Sequence, residues 1–156
     1  MRITAKVDYA VRATAELAAH RVAHGHRAPL KGEAIATVQD IPVRFLEGIL
    51  AELRRAAIVG SQRGSDGGYW LAKAPEDVSV ADVIRAVEGP LADVHGEPPE
   101  AAVYTGAATE LQHVWIATRA ALRGVLEETT LADIVAGVLP AHVTALVDQP
   151  GGWARR

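Results

Sequence analysis

The segment SQRGSDGGYWLAK, residues 61–73, constrains the fold more than any other part of this chain of 156 residues. Three glycines, Gly64, Gly67 and Gly68, follow an arginine and lead into an apolar run. Asp-Gly between two apolar runs is a strong signal for a β-hairpin, because glycine accepts the backbone angles that a tight turn needs. The segment therefore predicts two short strands, AIVGSQRG and GGYWLAK, joined by the SDG tripeptide.

Glycine-rich loops also cradle phosphates in nucleotide enzymes, so the same segment raises an enzyme alternative. A phosphate-binding loop of that kind needs Lys followed by Ser or Thr after its glycines, and it opens a helix. Here no such pair follows, and the glycines lead into a strand. No acid–base pair or nucleophile cluster can be recognised elsewhere in the sequence, which favours a protein that is not an enzyme.

A helix-turn-helix pattern precedes the hairpin. A short helix is predicted over residues 31–39, and Ile41-Pro42 ends it and opens the next, since proline is tolerated in a first turn. The following stretch, VRFLEGILAELRRAAIVG, has an apolar stripe at the spacing of an amphipathic helix. The stripe consists of Phe45, Leu46, Ile49, Leu50 and Leu53. Two helices followed by a hairpin are the layout of a winged helix-turn-helix.

Further helices are predicted on both sides of this unit. The first covers residues 4–24, with Thr4 as its N-cap and Gly25 at its end. Another lies in EDVSVADVIRAVEGP, where Ser79 is the N-cap. Residues 89–108 are rich in Gly, Pro and Ala and predict a loop.

The longest helical stretch is predicted to begin at residue 109. Its apolar stripe lies outside the winged unit, so no element of that unit is expected to cover it. A second copy of the chain is the simplest cover. The predicted dimer interface consists of Leu111, Val114, Trp115, Leu122, Val125 and Leu126. Thr130 and Asp133 resemble the opening of a short further helix, and the C-terminal DQPGGWARR predicts a frayed tail.

These patterns predict a mainly α fold with a small β-hairpin, in which a winged helix-turn-helix domain is joined to a long dimerisation helix. The winged domain covers residues 1–75, and a connecting helix with an effector or sensor loop covers residues 76–108. The dimerisation helix and a short C-terminal helix cover residues 109–140. A tail covers residues 141–156.

Charge is distributed unevenly along the chain. The net charge is −3, but residues 1–73 hold 11 Lys and Arg against 7 Asp and Glu, whereas residues 74–156 hold 5 against 12. A basic N-terminal half predicts a polyanionic partner for that half, and chance variation of surface charge is the alternative. No apolar run approaches the roughly 20 residues that span a bilayer. The N-terminus also lacks the pattern of a signal peptide, so we expect a cytoplasmic protein without a membrane partner.

Four segments together resemble the IscR/NsrR/CymR family of winged-helix transcriptional repressors. They are MRITAKVDYAVRA, IPVRFLEGILAELRRAAIVGSQRGSDGGYWLAK, VSVADVIRAVEGPL and LEETTLADI, and they extend in family order from residue 1 to about residue 136. The resemblance implies a homodimer that binds a pseudo-palindromic operator in double-stranded DNA. It also implies that the helix from Pro42 lies in the major groove and the wing in the minor groove.

The chain departs from the cluster-binding members of that family. Those members carry three cysteines in the loop after the GPL-like motif, and they often have a Cys-x-x-His-x-x-Trp pattern. With Trp115 as the tryptophan, the cysteine position is Thr109 and the histidine position is Gln112. Asp8 stands where some members offer a carboxylate ligand. Because the chain has no cysteine and iron–sulfur clusters are held mainly by thiolates, we predict no cluster, no metal and no cofactor.

The predicted DNA-binding residues are Thr4, Lys6, Pro42, Arg44, Phe45, Glu47, Arg63, Gly64, Gly67 and Gly68. Arg63 would insert into a narrow minor groove, and its alternative is a solvated arginine. Arg44 could reach a base edge or only a phosphate. Glu47 could accept a hydrogen bond from a cytosine amino group or pair with a neighbouring arginine. Thr4 and Lys6 could contact phosphate, or they could be an ordinary cap and a surface lysine.

Two clusters are left open by the sequence. His20, His24 and His26 could hold a metal ion, but Gly25 breaks the helix between them and a solvated cluster is favoured. The loop residues Asp93, His95, Glu97, Glu100 and Tyr104 could form an effector pocket against the dimer helices or a mobile surface loop.

The sequence therefore predicts a DNA-binding transcriptional repressor that is switched by an unknown small molecule or protein partner. The alternative is a dimeric protein-interaction module that senses by forming a complex with a metabolic enzyme.

Overall fold

Seven α-helices and two antiparallel strands are present in residues 2–154, the part of the chain that the computed structural model describes. The predicted mainly α fold with a small β-hairpin is thus confirmed. No helix in this part of the chain has the length and apolar character needed to cross a membrane. In chain order the elements are α1 (Ala5–His24), α2 (Gly32–Gln39), α3 (Val43–Arg55), β1 (Val59–Gln62), β2 (Gly68–Leu71), α4 (Val80–Glu88), α5 (Leu111–Leu126), α6 (Leu131–Ala136) and α7 (Ala141–Val147).

Helix α1 is the centre of the core. Thr4 caps it as predicted, because its side-chain oxygen accepts a hydrogen bond from the Val7 backbone N at 3.2 Å. Alanine forms half of the buried face, which lets neighbouring helices approach closely. The buried residues are Val7, Ala10, Ala13, Thr14, Leu17 and Ala18. Thr14 is fully buried, and its hydroxyl donates to the Ala10 carbonyl oxygen at 2.9 Å, which satisfies the polar group inside the core.

Helices α2 and α3 form the predicted helix-turn-helix. Between them Asp40 adopts a left-handed conformation, and the Ile41 backbone N donates to the Ala36 carbonyl oxygen at 2.9 Å. The inner face of α3 is buried through Leu46, Ile49, Leu50 and Leu53. The sequence pattern also predicts Phe45 in the buried stripe, but it is 46% exposed. It precedes Leu46 and so lies about 100° away around the helix axis.

Strands β1 and β2 form the predicted hairpin, with Val59 opposite Leu71 and Gln62 opposite Gly68. This register leaves residues 63–67 in the tip, which is longer than the predicted tripeptide. A third segment pairs with β2, because the backbones of Leu30 and Tyr69 exchange two hydrogen bonds of 2.8 Å. The wing is therefore attached to the segment before α2.

The core continues beyond the predicted winged domain of residues 1–75. Val83 of α4 and Leu131 of α6 are buried in the same cluster as the inner face of α1. Both helices begin with a capping box, at Ser79 and at Thr130, as their sequences predict. A backbone bridge joins Ser79 to Thr130. Helix α6 therefore belongs to the core, although the sequence grouped it with the dimerisation helix.

Helix α5 stands apart from this core, since none of its 16 residues is buried within the described chain. The long helical stretch is interrupted at Thr129 and Thr130, as its sequence predicts, and forms the helices α5 and α6. It is not the longest helix, because α1 with 20 residues is longer than either.

The sequence predicts a tail over residues 141–156, but the structure has a helix, α7, in the first part of that segment. Pro140 precedes it, Val143 is buried, and the His142 Nε2 atom lies 2.6 Å from the Gly124 carbonyl oxygen of α5. The sequence did not reveal this helix because it has only seven residues between segments rich in proline and glycine. Residues 155 and 156 of the predicted tail lie outside the described residues.

Candidate nucleic-acid interface

The outer face of α3 is polar and exposed. Arg44 and Glu47 lie one turn apart at its N-terminal end, and Arg54 continues the polar surface near its C-terminal end. The opposite face of α3 is buried in the core, which fixes the position of the helix and leaves its polar face exposed to solvent. Within residues 2–154 Glu47 forms no ion pair with either arginine. The Arg54 guanidinium donates instead to Ser61 Oγ at 3.2 Å, which links α3 to β1.

Phe45 lies beside this polar face and is held by α1. Its ring packs edge-on against the Tyr9 ring, with centroids 5.7 Å apart and planes at 87°. The Arg12 guanidinium carbon lies 5.3 Å from the Tyr9 ring centroid, and Arg12 Nε donates to Gln39 Oε1 at 3.0 Å. These contacts fix the start of α3 against α1 and the end of α2. The sequence did not identify Tyr9, Arg12 or Gln39, because their spacing carries no sign of a shared contact.

A narrow cleft of about 70 Å³ lies between α2, α3 and the wing. Glu33 of α2, Glu47 of α3 and Tyr69 of β2 line it. The polar face of α3 and the wing strand therefore border the same cleft. The structure thus places two of the predicted DNA-binding elements side by side, one with Glu47 and the other leading into the exposed tip with Arg63.

The wing tip is a fixed turn. Gly64 has a φ of +106°, an angle that residues with a side chain rarely adopt. A Cβ atom on Gly67 would lie 2.2 Å from the Gln62 carbonyl oxygen, so no side chain fits there. The Lys31 ammonium, at the start of α2, donates to the carbonyl oxygens of Gly64 and Ser65. The sequence identified the glycines of the tip but gave no signal for Lys31 as their anchor.

Thr4 and Lys6 are occupied by contacts within the chain. The Thr4 hydroxyl donates to the Glu88 carboxylate in addition to capping α1. The Lys6 ammonium donates to the Val87 carbonyl oxygen at 2.6 Å and pairs with the Glu52 carboxylate at 2.7 Å. Both side chains therefore join α1 to other helices. These contacts would have to break before either side chain reached a phosphate.

The histidine cluster has no geometry for a metal ion. His20 and His24 lie on one face of α1 with ring centroids 4.3 Å apart. Burial, followed by the proximity of His24, lowers the pKa of His20 below its usual value. His26 is exposed beyond the end of α1, and residues 2–154 contain no group of three His, Asp or Glu that could hold a metal.

The residues of the predicted dimer stripe on α5 are exposed to different extents. Val114 and Trp115 are 51% and 37% exposed. The other four members of the stripe are half-buried, and they are Leu111, Leu122, Val125 and Leu126. Leu111 lines a cleft with the loop, and Leu126 lines one with residues of α1 and α4. The exposed face continues from Val114 through small residues, which are Ala117, Thr118, Ala121 and Gly124. The open face of α5 is therefore rotated from the predicted stripe.

Gln112 and Arg119 dock the 89–108 loop on α5. Gln112 Nε2 donates to the carbonyl oxygens of Glu100 and Ala102, at 3.0 and 2.8 Å. The Arg119 guanidinium forms two hydrogen bonds with the Glu100 carboxylate, and these lower the pKa of that carboxyl to about 2. Trp115 Nε1 also donates to the Tyr104 hydroxyl at 3.1 Å, so the loop is attached to α5 at three points. Of the predicted effector residues, Asp93, His95 and Tyr104 line one cleft of about 420 Å³ with Leu111 and Trp115 of α5.

The donor set at this loop does not fit an iron–sulfur cluster. Gln112 stands at the histidine position of the cluster-binding pattern, but its amide is engaged with loop carbonyls. The chain contains no cysteine, and the described residues offer no trio of His, Asp or Glu that could replace thiolates. Because such clusters are held mainly by thiolates, the residues present do not form a cluster site.

Comparison with known sequences identifies the relatives of this chain. Residues 3–137 match the model of the Rrf2 family, which is described as an iron-dependent transcriptional regulator. The HTH-type transcriptional regulator Rv1287 of Mycobacterium tuberculosis (strain ATCC 25618 / H37Rv) is 47% identical over 152 residues, which cover 95% of this chain and 89% of that protein. The HTH-type transcriptional regulator CymR of Bacillus subtilis (strain 168) is 33% identical over 134 residues, covering 86% and 89%.

Solved structures agree with the sequence comparison. The structure of CymR, the global cysteine regulator of B. subtilis, has a TM-score of 0.72 at 32% identity and covers 88% of this chain and 98% of that chain. The structure of T. potens IscR has a TM-score of 0.69 at 32% identity and covers 88% of both chains. The sequence relatives are named as transcriptional regulators and not as enzymes. The chain therefore belongs to the Rrf2 family of DNA-binding transcriptional regulators.

Proposed function

We propose that this regulator acts as a homodimer on a pseudo-palindromic operator and represses the genes beside it. The observation that carries the proposal is the helix α3, whose buried face anchors it while Arg44 and Glu47 stay exposed beside the wing. A helix of this kind fits the major groove, which is about 12 Å wide, and contacts base edges with its N-terminal turns. The assignment as a repressor rests on the family resemblance.

The major-groove contacts are assigned to the start of α3. Arg44 can donate to a guanine edge or to a phosphate, and Glu47 can accept a hydrogen bond from a cytosine amino group. Pro42 and Phe45 are exposed at the same end, and the Phe45 ring offers an apolar contact to a thymine methyl group. Because Tyr9 holds Phe45 in place, the helix would enter the groove with little reorganisation.

The minor-groove contacts are assigned to the wing. Arg63 is exposed at the start of the tip, and a narrow minor groove attracts an arginine through its negative potential. The glycines Gly64, Gly67 and Gly68 have no side chains to hold the backbone away from DNA. The Lys31 anchor keeps the tip in one conformation, so less entropy is lost on binding.

Dimerisation is assigned to the open face of α5. A helix of 16 residues without a buried residue leaves apolar surface in water, and a second copy would cover it. The small residues Ala117, Ala121 and Gly124 would let two such helices approach closely, with Val114 packing beside them. Trp115 lies on the other side of the helix, where its Nε1 donates to Tyr104 of the loop. Two recognition helices would then meet half-sites about 34 Å apart, which is one turn of DNA.

The switch is assigned to the loop of residues 91–108 together with α5, and the ligand is a small molecule or a protein partner. An effector can act only if it binds one spacing of the two wings better than another. Because the chain has no thiolate, we expect DNA binding without iron. Iron and sulfide analysis after anaerobic purification tests this, and stoichiometric iron would contradict it.

The proposed function is tested by gel retardation with the DNA upstream of the protein's own gene, at 50 and 200 mM salt. A dimer that makes six or more phosphate contacts should lose about 10³-fold or more in affinity between these concentrations. Arg44→Ala should weaken binding, and Lys73→Ala, which removes an exposed cation outside the assigned contacts, serves as the matched control. Absence of any retarded complex with the upstream DNA or other genomic fragments would favour the protein-interaction alternative.

A further inference from the structure

A cavity of about 260 Å³ lies between the loop after α4 and the helices α4 and α5. Three arginines line it: Arg85 of α4, and Arg119 and Arg123 of α5, which are one helical turn apart. Between residues 74 and 154 the sequence contains no other Lys or Arg, although residues 74–156 contain 12 Asp and Glu. The three arginines between residues 74 and 154 thus meet at one cavity, outside the proposed DNA-binding surface.

The carboxylates around the cavity determine which arginine is available. The Arg119 side chain is only 15% exposed and is held by Glu100 through two hydrogen bonds. Arg85 pairs with Glu127. The Arg123 Nε atom lies 3.6 Å from Glu127 Oε1, which is longer than a hydrogen bond, and its side chain is 49% exposed. Arg123 is therefore the cation of the cavity with the weakest internal partner.

Two further acids line the cavity, but neither binds these guanidinium groups. Asp93 Oδ1 accepts a hydrogen bond from the Gly96 backbone N at 2.8 Å and so closes a turn of the loop. Glu97 is exposed. The remaining walls are apolar and come from Pro90, Leu91 and Pro98. A cavity with a few convergent cations and apolar walls is typical of a site for a small organic anion.

We propose that this cavity binds a small organic molecule through a carboxylate, which pairs with Arg123 and Arg119 and displaces Glu100 from Arg119. The guanidinium fork matches the planar carboxylate in a bidentate pair, and the Arg119–Glu100 contact already has this form. Glu100 does not itself line the cavity, but it holds Arg119, so a ligand carboxylate in the cavity would compete with it for that guanidinium group. The apolar walls would contact the carbon skeleton of the ligand.

The consequence for regulation rests on the proposed function. Glu100 belongs to the loop that Gln112, Trp115 and Arg119 dock on α5, so its displacement removes one of the three attachments. Gln112 would continue to hold the loop through the Ala102 carbonyl oxygen. The ligand would therefore move the loop beside the open face of α5 without unfolding the loop. Because that face is the proposed dimer interface, such a movement would alter the spacing of the two wings.

The proposal is tested by NMR titration of the full ¹⁵N-labelled chain with succinate at neutral pH and constant ionic strength. Succinamide is the uncharged control, and inorganic phosphate tests the other common anion. The wild type should bind succinate saturably and succinamide not at all. Glu100→Gln removes the internal competitor and should bind at least tenfold more tightly. Arg123→Gln should bind at least tenfold more weakly, a change of about 1.4 kcal/mol.

Arg55→Gln is the matched control, because Arg55 is exposed on α3 and its neutralisation should leave succinate binding unchanged. Unsaturable binding in both the wild type and Glu100→Gln would overturn the proposal, as would equal affinity in Arg123→Gln. Tighter binding of phosphate than of succinate would overturn the carboxylate assignment. The titration contains no DNA, so its outcome is independent of whether the proposed operator binding holds.

Discussion

Replacing Gly67 with alanine should disrupt the wing without removing any side chain that could contact DNA. The added Cβ atom would lie 2.2 Å from the Gln62 carbonyl oxygen and 2.7 Å from the Arg63 carbonyl carbon. Both neighbours are backbone atoms, so the hairpin itself must shift. Overpacking of this kind costs about 1–3 kcal/mol. The tip cannot relax freely, because a shift would also disturb the hydrogen bonds from Lys31.

Urea unfolding of the purified variant measures the stability cost, and gel retardation measures the effect on operator binding. A loss of 1 kcal/mol should lower Tm by about 2–4 °C in a chain of this size. Ser65→Ala is the matched control, since Ser65 is exposed in the same tip and only its carbonyl oxygen contacts Lys31. Wild-type stability and wild-type operator affinity in Gly67→Ala would refute the reasoning that the tip is a fixed turn.

Four further predictions test other parts of the account. Arg63→Ala should weaken operator binding by about 1–3 kcal/mol in gel retardation, whereas unchanged affinity in the folded variant would return the wing to a structural role. In sedimentation at micromolar concentration the wild type should have twice the chain mass, and Ala121→Arg should give monomers by placing a charge in the interface; a monomeric wild type would contradict the dimer. Because the pKa of Glu100 is held at about 2 rather than 4.5, the stability that its contact with Arg119 contributes should be complete above pH 4.5 and lost as the pH falls from 4.5 toward 2; NMR titration of the carboxyl should show the lowered pKa, and Arg119→Gln should remove most of the shift. Thr130→Ala removes the N-cap of α6 and should lower the free energy of unfolding by about 1 kcal/mol in urea; an unchanged free energy would show that the cap does not contribute.

Local chemistry explains why much of the fold could be predicted from the sequence. The caps at Thr4, Ser79 and Thr130 are recognisable because a capping side chain and its backbone partner are three residues apart. The buried stripe of α3 repeats at helical spacing, and the hairpin has its turn residues between two apolar runs. Each of these signals lies within a few residues of the element that it specifies.

The features that escaped prediction depend on contacts between distant parts of the chain. Lys6 carries no sign in its own segment that it pairs with Glu52, 46 positions further on. The same holds for Lys31 at the wing tip. Helical periodicity predicts that α5 has an apolar side, but it cannot show that Leu126 turns toward the core while Val114 stays open. Which face is covered is decided by the tertiary fold.

The central claim is that the exposed face of α3 and the wing read a specific operator. It is tested most directly by mixing the purified protein with genomic fragments of its own organism and sequencing the fragments that it retains. The account predicts strong enrichment of a small set of sites that share a pseudo-palindrome, with half-sites about 10 base pairs apart from centre to centre. Retained fragments with no common sequence, or no retained fragments in low salt, would contradict it.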